Sequence, residues 1–213
     1  MAKITGIKKA KRRGEQVNVF LDGKPALALL AETALKEGLK EGQEVTEDRR
    51  ETLADLDRYQ RCHNAALHFL AYRPRSEAEI RQRLQRHGYD GKDVDKTLAR
   101  LKEQGLVDDN AFARFWRENR ETFSPRSRRL TKLELKRKGL SSDIIEQVIS
   151  EIDDSDSAYR AAINRARRLS LADYQVFRER LGGYLGRRGF SYGIIKEVVE
   201  RVWRELKGSI PVH

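Results

Sequence analysis

A helix, a glycine and a second helix are written three times in this chain of 213 residues, and any fold must accommodate that pattern in triplicate. In the first copy Leu84 precedes Gly88 by four residues, Tyr89 follows, and apolar residues return at Val94, Leu98 and Leu101. The second copy has Leu135, Gly139, Leu140, Ile145, Ile149 and Ile152, and the third has Leu185, Gly189, Phe190, Ile195, Val199 and Val202. A glycine just past a helical run can adopt the left-handed conformation that ends the helix, so that the next apolar residue packs back onto the position four before the glycine. The apolar residues beyond it recur at the spacing of one helical face. Repetition at an interval of about fifty residues is the mark of modular architecture.

The rest of the chain is read outward from these units. Residues 47–72 hold neither glycine nor proline, and Leu53, Leu56, Tyr59, His63, Leu67 and Leu70 recur at helical spacing. Thr46 is suited to cap that helix, and Pro74 disfavours helix just before it. Ser76 with Glu79 forms a capping box for the first glycine unit. Asp108 or Asp109 caps a helix carrying Phe112, Phe115 and Trp116, three residues read as core, and the acidic residues 153–157 suit the positive end of another. These signals predict three tandem three-helix modules, at residues 58–106, 107–153 and 154–207, with a connecting helix at 46–57. Residues 1–45 differ: alternation through Val17, Val19 and Leu21, punctuated by Arg13-Gly14 and Asp22-Gly23, predicts a small β-rich cap. Its strands fall near residues 4–11, 16–21 and 25–29, followed by a helix at 31–37 that Gly38 ends. Residues 208–213 form a tail. The fold class is mainly α, an elongated stack of three modules behind a strand-rich cap.

Charged residues make up 36% of the chain and hydrophobic ones 38%, a lean balance that fits a protein with much surface. The net charge of +11 makes a polyanion or an acidic protein surface the natural partner. Cys62 is the only cysteine, which fits a reducing cytoplasm, and no apolar run approaches a membrane span. Chemistry of the catalytic kind finds little support. The histidines are His63, His68, His87 and His213, without the spacing that holds zinc. Gly182, Gly183 and Gly186 lie inside a helical pattern and lack the lysine and hydroxyl of a phosphate loop. The chain is expected to be non-catalytic, with no cofactor and no metal.

The basic residues carry more. Before the second glycine, Arg126, Arg128, Arg129, Lys132, Lys136, Arg137 and Lys138 face only Glu134 as a carboxylate in the same run. Arg187 and Arg188 repeat the theme in the third module, and Arg73, Arg75 and Arg81 in the first. These arginines and lysines are the candidate residues for a protein or DNA partner, because a guanidinium can grip a phosphate or carboxylate with two hydrogen bonds. Each unit also has the outline of a helix-turn-helix. The helices that would read a major groove nevertheless carry Asp95, Glu103, Asp143, Glu146, Glu151, Glu197, Glu200 and Glu205, and like charge disfavours that docking.

Several runs resemble the RecX family of regulatory proteins. The resemblance lies in Tyr72-Arg73-Pro74-Arg75-Ser76-Glu77-Ala78-Glu79-Ile80-Arg81 and in Gly105-Leu106-Val107-Asp108-Asp109-Asn110-Ala111-Phe112-Ala113. Glu134-Leu135, Lys138-Gly139-Leu140 and Arg188-Gly189-Phe190-Ser191 continue it, and Gly38-Leu39-Lys40-Glu41-Gly42-Gln43 is similar to the N-terminal region of longer members. One departure is that Ser127 and Thr131 stand where the family usually has a glycine and an isoleucine. The resemblance implies three tandem three-helix repeats that bind RecA. It further implies seating in the groove of the RecA nucleoprotein filament, with filament growth, ATP hydrolysis, strand exchange and co-protease activity damped. Its setting would be homologous recombination and the SOS response, and its form a cytoplasmic monomer with weak binding to single- or double-stranded DNA. Two other classes compete: a stand-alone DNA-binding protein, which would bind bare DNA with steep salt dependence, and an enzyme, which would turn over without any recombinase.

Overall fold

Period-2 alternation near the N-terminus produces the strands β1 (Ala2–Lys9), β2 (Gln16–Leu21) and β3 (Lys24–Leu30), followed by helix α1 (Ala31–Lys36) and strand β4 (Glu44–Val45) in this computed structural model, which describes residues 1–10 and 15–208. The sheet is antiparallel in the order β3-β2-β1-β4. Asp22 and Gly23 both have positive φ, 49° and 79°, the signature of the tight turn whose twist matches a hairpin. Ile4, Val17, Val19, Leu21 and Leu29 are buried together beneath the sheet. Strand β4 was not foreseen, since two residues are too few to show a period; it pairs Val45 with Ala2 and Glu44 with Lys3. Arg13-Gly14, Lys11 of the first expected strand and all of the expected tail beyond Gly208, with His213, lie outside the described residues.

Helix α2 (Glu47–Leu70) runs without interruption, so the expected boundary between a connecting helix and the first module falls inside it. It starts where Thr46 accepts from the Arg49 amide at 3.2 Å and ends two residues before the expected Tyr72. Near its middle the buried Asp57 accepts from the Leu30 amide and from Arg61 Nε, each at 2.6 Å, which fastens the helix to the end of β3. With α3 (Glu77–Arg86) and α4 (Gly91–Glu103) it encloses a separate core of Cys62, Ala66, Ile80, Leu84, Val94, Leu98, Leu101 and Val107. These elements make up the first of two units, Met1–Arg75 with Glu79–Val107; the second is Ser76–Ala78 with Asp108–His213.

His63, buried in the first unit, has its pKa pushed down, first by burial and then by the positive charges of Arg100 and Lys36. Its folded form binds the proton less readily than its unfolded form, so its contribution to stability is present above the unfolded value of about 6.5 and declines as pH falls through the lower folded value. Melting temperature is therefore expected to drop from pH 7 to pH 5 more in the parent chain than in His63→Gln, and parallel curves would rule this out.

The second unit holds α5 (Asp109–Phe123), α6 (Arg128–Arg137), α7 (Ser142–Ser150), α8 (Asp154–Ala166), α9 (Tyr174–Arg187) and α10 (Tyr192–Gly208). Asp108, Ser127, Asp153 and Asp173 accept from backbone amides at the starts of α5, α6, α8 and α9. Two cores follow, one built on Phe112, Leu135, Ile145 and Ile149 with Trp116 against it, the other on Phe177, Leu181, Leu185 and Val199. Ser127, the departure from the family pattern, caps α6 by accepting from the Leu130 amide at 3.2 Å. Thr131 is buried at the place that Ile80 and Leu181 hold in the neighbouring copies.

Gly88, Gly139 and Gly189 all have positive φ, at 83°, 78° and 87°. The amides of Tyr89, Leu140 and Phe190 donate back to the carbonyls of Leu84, Leu135 and Leu185 at 3.3, 3.4 and 3.4 Å. Together with the glycine amides donating to Gln85, Lys136 and Gly186, this is the Schellman arrangement that satisfies a helix end. Gly105 closes α4 in the same way, with the Leu106 amide donating to Leu101 at 2.9 Å.

Candidate partner-binding surface

In the first unit, the candidate arginines are engaged within the fold. Arg73 grips both Glu79 oxygens, at 3.0 and 3.2 Å, and donates to its neighbour's carbonyl at 2.8 Å. Arg75 lies with its guanidinium 3.9 Å from the centre of the Phe69 ring, where burial above all, and then the charge of Arg73, lowers its pKa. Arg81 pairs with Asp95. The equivalent pair in the second copy is Lys132 with Glu146, so acidic residues on the third helix of a module meet basic ones on the second.

The third copy places Gly182 and Lys196 at those two positions. With that pair missing, a cleft of about 270 Å³ opens between α9 and α10, lined by Tyr174, Gly182, Gly183, Tyr192, Ile195 and Val199 among others. A Cβ on Gly182 would lie 3.5 Å from Ile195, so the glycine sets the cleft's width.

Around α6 the basic run divides into two sets. Arg126 pairs with Glu134, whose other oxygen accepts from Arg120 Nε at 2.8 Å and Trp116 Nε1 at 2.9 Å. Arg128 donates its amide to Asp154 at 2.6 Å and its guanidinium to the Ile152 carbonyl at 2.7 Å. Lys138 lies 4.8 Å from the Trp116 ring centre, and Arg188 donates to Ser124 Oγ at 2.9 Å while covering Tyr184 at 4.4 Å. Of these candidates, Arg126 is ion-paired, Arg128 is tied to a backbone carbonyl, and Arg188 meets a neutral hydroxyl and a ring, so Arg188 keeps its charge uncompensated among the described residues. Arg129, Lys136 and Arg137 on α6, with Arg187 at the end of α9, are exposed and have no ion pair among the described residues. Sequence reasoning missed Arg120; its place one helical turn after Trp116, with a lone glutamate in the basic run, was the available signal.

Among the described residues, no group of three or more histidine, cysteine, aspartate or glutamate side chains is placed to hold a metal, and no helix is long and apolar enough to cross a membrane. Cys62 is buried, and burial pushes its thiol pKa up.

Three three-helix modules behind a strand-rich N-terminal region, with cations gathered ahead of the glycine stops, define a helical-repeat protein suited to binding. Residues 2–46 match the regulatory protein RecX N-terminal domain, and residues 62–101, 108–149 and 152–199 match the first, second and third RecX three-helix domains. The chain is 32% identical over 206 residues to regulatory protein RecX of Clostridium botulinum (strain Eklund 17B / Type B), covering 94% of this chain and 96% of that one. It is 36% identical over 154 residues to regulatory protein RecX of Mycobacterium sp. (strain JLS), covering 68% and 84%. The chain belongs to the RecX family of regulatory proteins. In fold it is similar to a crystal structure of regulatory protein RecX, with a TM-score of 0.67 and 23% identity over 94% of this chain and all of that one. It is also similar to RecX from Lactobacillus salivarius, at 0.58 and 22% over 69% and 97%.

Proposed function

We propose that this chain is a non-catalytic regulator in the cytoplasm that binds RecA on its DNA filament and damps ATP hydrolysis, strand exchange and co-protease activity. Membership of the RecX family carries the reading. The exposed cations Arg129, Lys136, Arg137 and Arg187 supply the contact chemistry, since a filament presents both acidic side chains and phosphates. Several weak contacts along one filament raise avidity without any single strong site.

Co-sedimentation with preformed RecA filaments, together with RecA's DNA-dependent ATPase, tests it: the chain is expected to pellet with the filament and to slow hydrolysis, and failure in both overturns the reading. Reversing Arg129, Lys136, Arg137 and Arg187 to glutamate is expected to weaken filament association about tenfold or more, since exposed charge pairs contribute up to about 1 kcal/mol each. Helicity should be unchanged, because these four side chains carry none of the ion pairs among the described residues. Full association by the quadruple variant would place the interface elsewhere. Binding to bare DNA as tight as to filaments, falling steeply with salt, would favour the stand-alone DNA-binding alternative instead.

A further inference from the structure

We propose that Arg120, Arg126 and Arg188, where α5, the start of α6 and the end of α9 come together in the second unit, form a binding site for a phosphate group. Arg120 and Arg126 share Glu134, the Ser127 amide beside Arg126 donates to the Arg188 carbonyl at 3.0 Å, and Glu134 is the one carboxylate that an ion pair brings to the three arginines among the described residues. Arginine stays protonated in proteins, so the cluster holds an excess of two positive charges. It sits partly out of water: the Arg120 and Arg126 side chains are 22% and 30% exposed.

Charge crowding shows at Arg126, and incomplete satisfaction shows at Arg188. The pKa of Arg126 is lowered by burial, then by the charges of Arg120 and Arg188. Burial lowers that of Arg120 as well. Nε of Arg188 is buried and has no protein acceptor, although Nη1 donates to Ser124 Oγ at 2.9 Å. The groups are also held in place, because Trp116 lies 4.6 Å from the Arg120 guanidinium and Tyr184 lies 4.4 Å from that of Arg188. Rigid forks of this kind match tetrahedral oxyanions through paired hydrogen bonds.

Charge decides the ligand class. A carboxylate from an acidic protein segment would leave one positive charge uncompensated, whereas a phosphate monoester, with a charge of about −1.5 to −2 near neutrality, offsets both. A backbone phosphodiester offers the same oxygens, and two adjacent ones supply the same charge. The site is independent of RecA binding, so its failure leaves that reading standing.

Inorganic phosphate is the probe, on the full chain. At matched ionic strength, phosphate is expected to raise the melting temperature saturably over chloride, by about 3–6 °C at ten times its dissociation constant. Arg126→Gln and Arg188→Gln should abolish the rise, and Arg168→Gln, at an exposed arginine with no assigned role, should keep it. Broadening of the ³¹P resonance of phosphate is read on each variant below its own melting transition, so that lost stability is not mistaken for lost binding. Arg188→Lys replaces Arg188→Gln if the latter does not fold. A rise no larger than with chloride, or equal broadening by the parent chain and by both cluster variants, overturns the proposal. Displacement of bound phosphate by a short thymidine oligonucleotide assigns the site to nucleic-acid backbone; displacement by a nucleoside triphosphate alone assigns it to a nucleotide.

Discussion

Alanine at Gly139 is expected to destabilise the protein by about 3–5 kcal/mol, whereas alanine at Gly88, the same position of the first copy, is expected to cost about 1–2 kcal/mol. Both glycines end a helix at positive φ, so both substitutions incur the left-handed penalty. What separates them is space. Nothing lies within 4 Å of a Cβ built on Gly88, while one built on Gly139 would overlap the Cβ of Ala78 in the first turn of α3. That neighbour is a short side chain on a helix and cannot swing aside. The Ser76 hydroxyl pins the contact by donating to the Lys138 carbonyl at 2.7 Å. Gly189 repeats the arrangement against Ser127 Oγ and Leu130 Cβ, at 2.5 and 2.9 Å. Urea denaturation followed by circular dichroism measures the losses. Ala78→Gly combined with Gly139→Ala should recover about 1–3 kcal/mol of coupling, and equal losses at Gly88 and Gly139 with no coupling would refute the account.

The second large effect is expected at Glu134. Glu134→Ala removes the acceptor of Trp116 Nε1, Arg120 and Arg126 at one stroke. Removing one partner of a buried ion pair costs about 3–5 kcal/mol; the partial exposure of both arginines reduces this to about 2–4 kcal/mol. Glu146→Ala deletes a carboxylate from α7 whose partner, Lys132, is half exposed, and is expected to cost less than about 1 kcal/mol. Thermal melts of the two variants compare them directly. Comparable shifts would mean that Glu134 is held no more firmly than a surface residue.

Most of the architecture was legible because it is written in short-range spacing. Leu84, Gly88 and Tyr89 announce a helix and its end within six residues, and the structure closes it with the hydrogen bonds that spacing requires. Asp108 caps where a cap was anticipated, and Asp22-Gly23 turns the hairpin. The miss is a feature without a period: two-residue β4 carries no pattern of its own, whereas the absence of glycine and proline from residues 47–72 already allowed the single helix α2.

The basic surface was legible only as a composition. Charge count singled out the run from Arg126 to Lys138, and by that measure Arg126 and Arg129 were equivalent. They are not: one is clasped by Glu134 and the other is exposed.

By itself the sequence determined the repeat, the helix ends, the strand-rich N-terminal region and the family, since each is encoded by residues a few positions apart and by backbone preferences that act locally. Only the tertiary structure decided which cations are held against partners and which glycines cannot bear a side chain. Those answers depend on contacts such as Arg188 with Ser124, 64 residues apart, and Ser76 with Lys138, 62 apart. Burial and pairing free energies belong to such meetings in space, and no local spacing carries them.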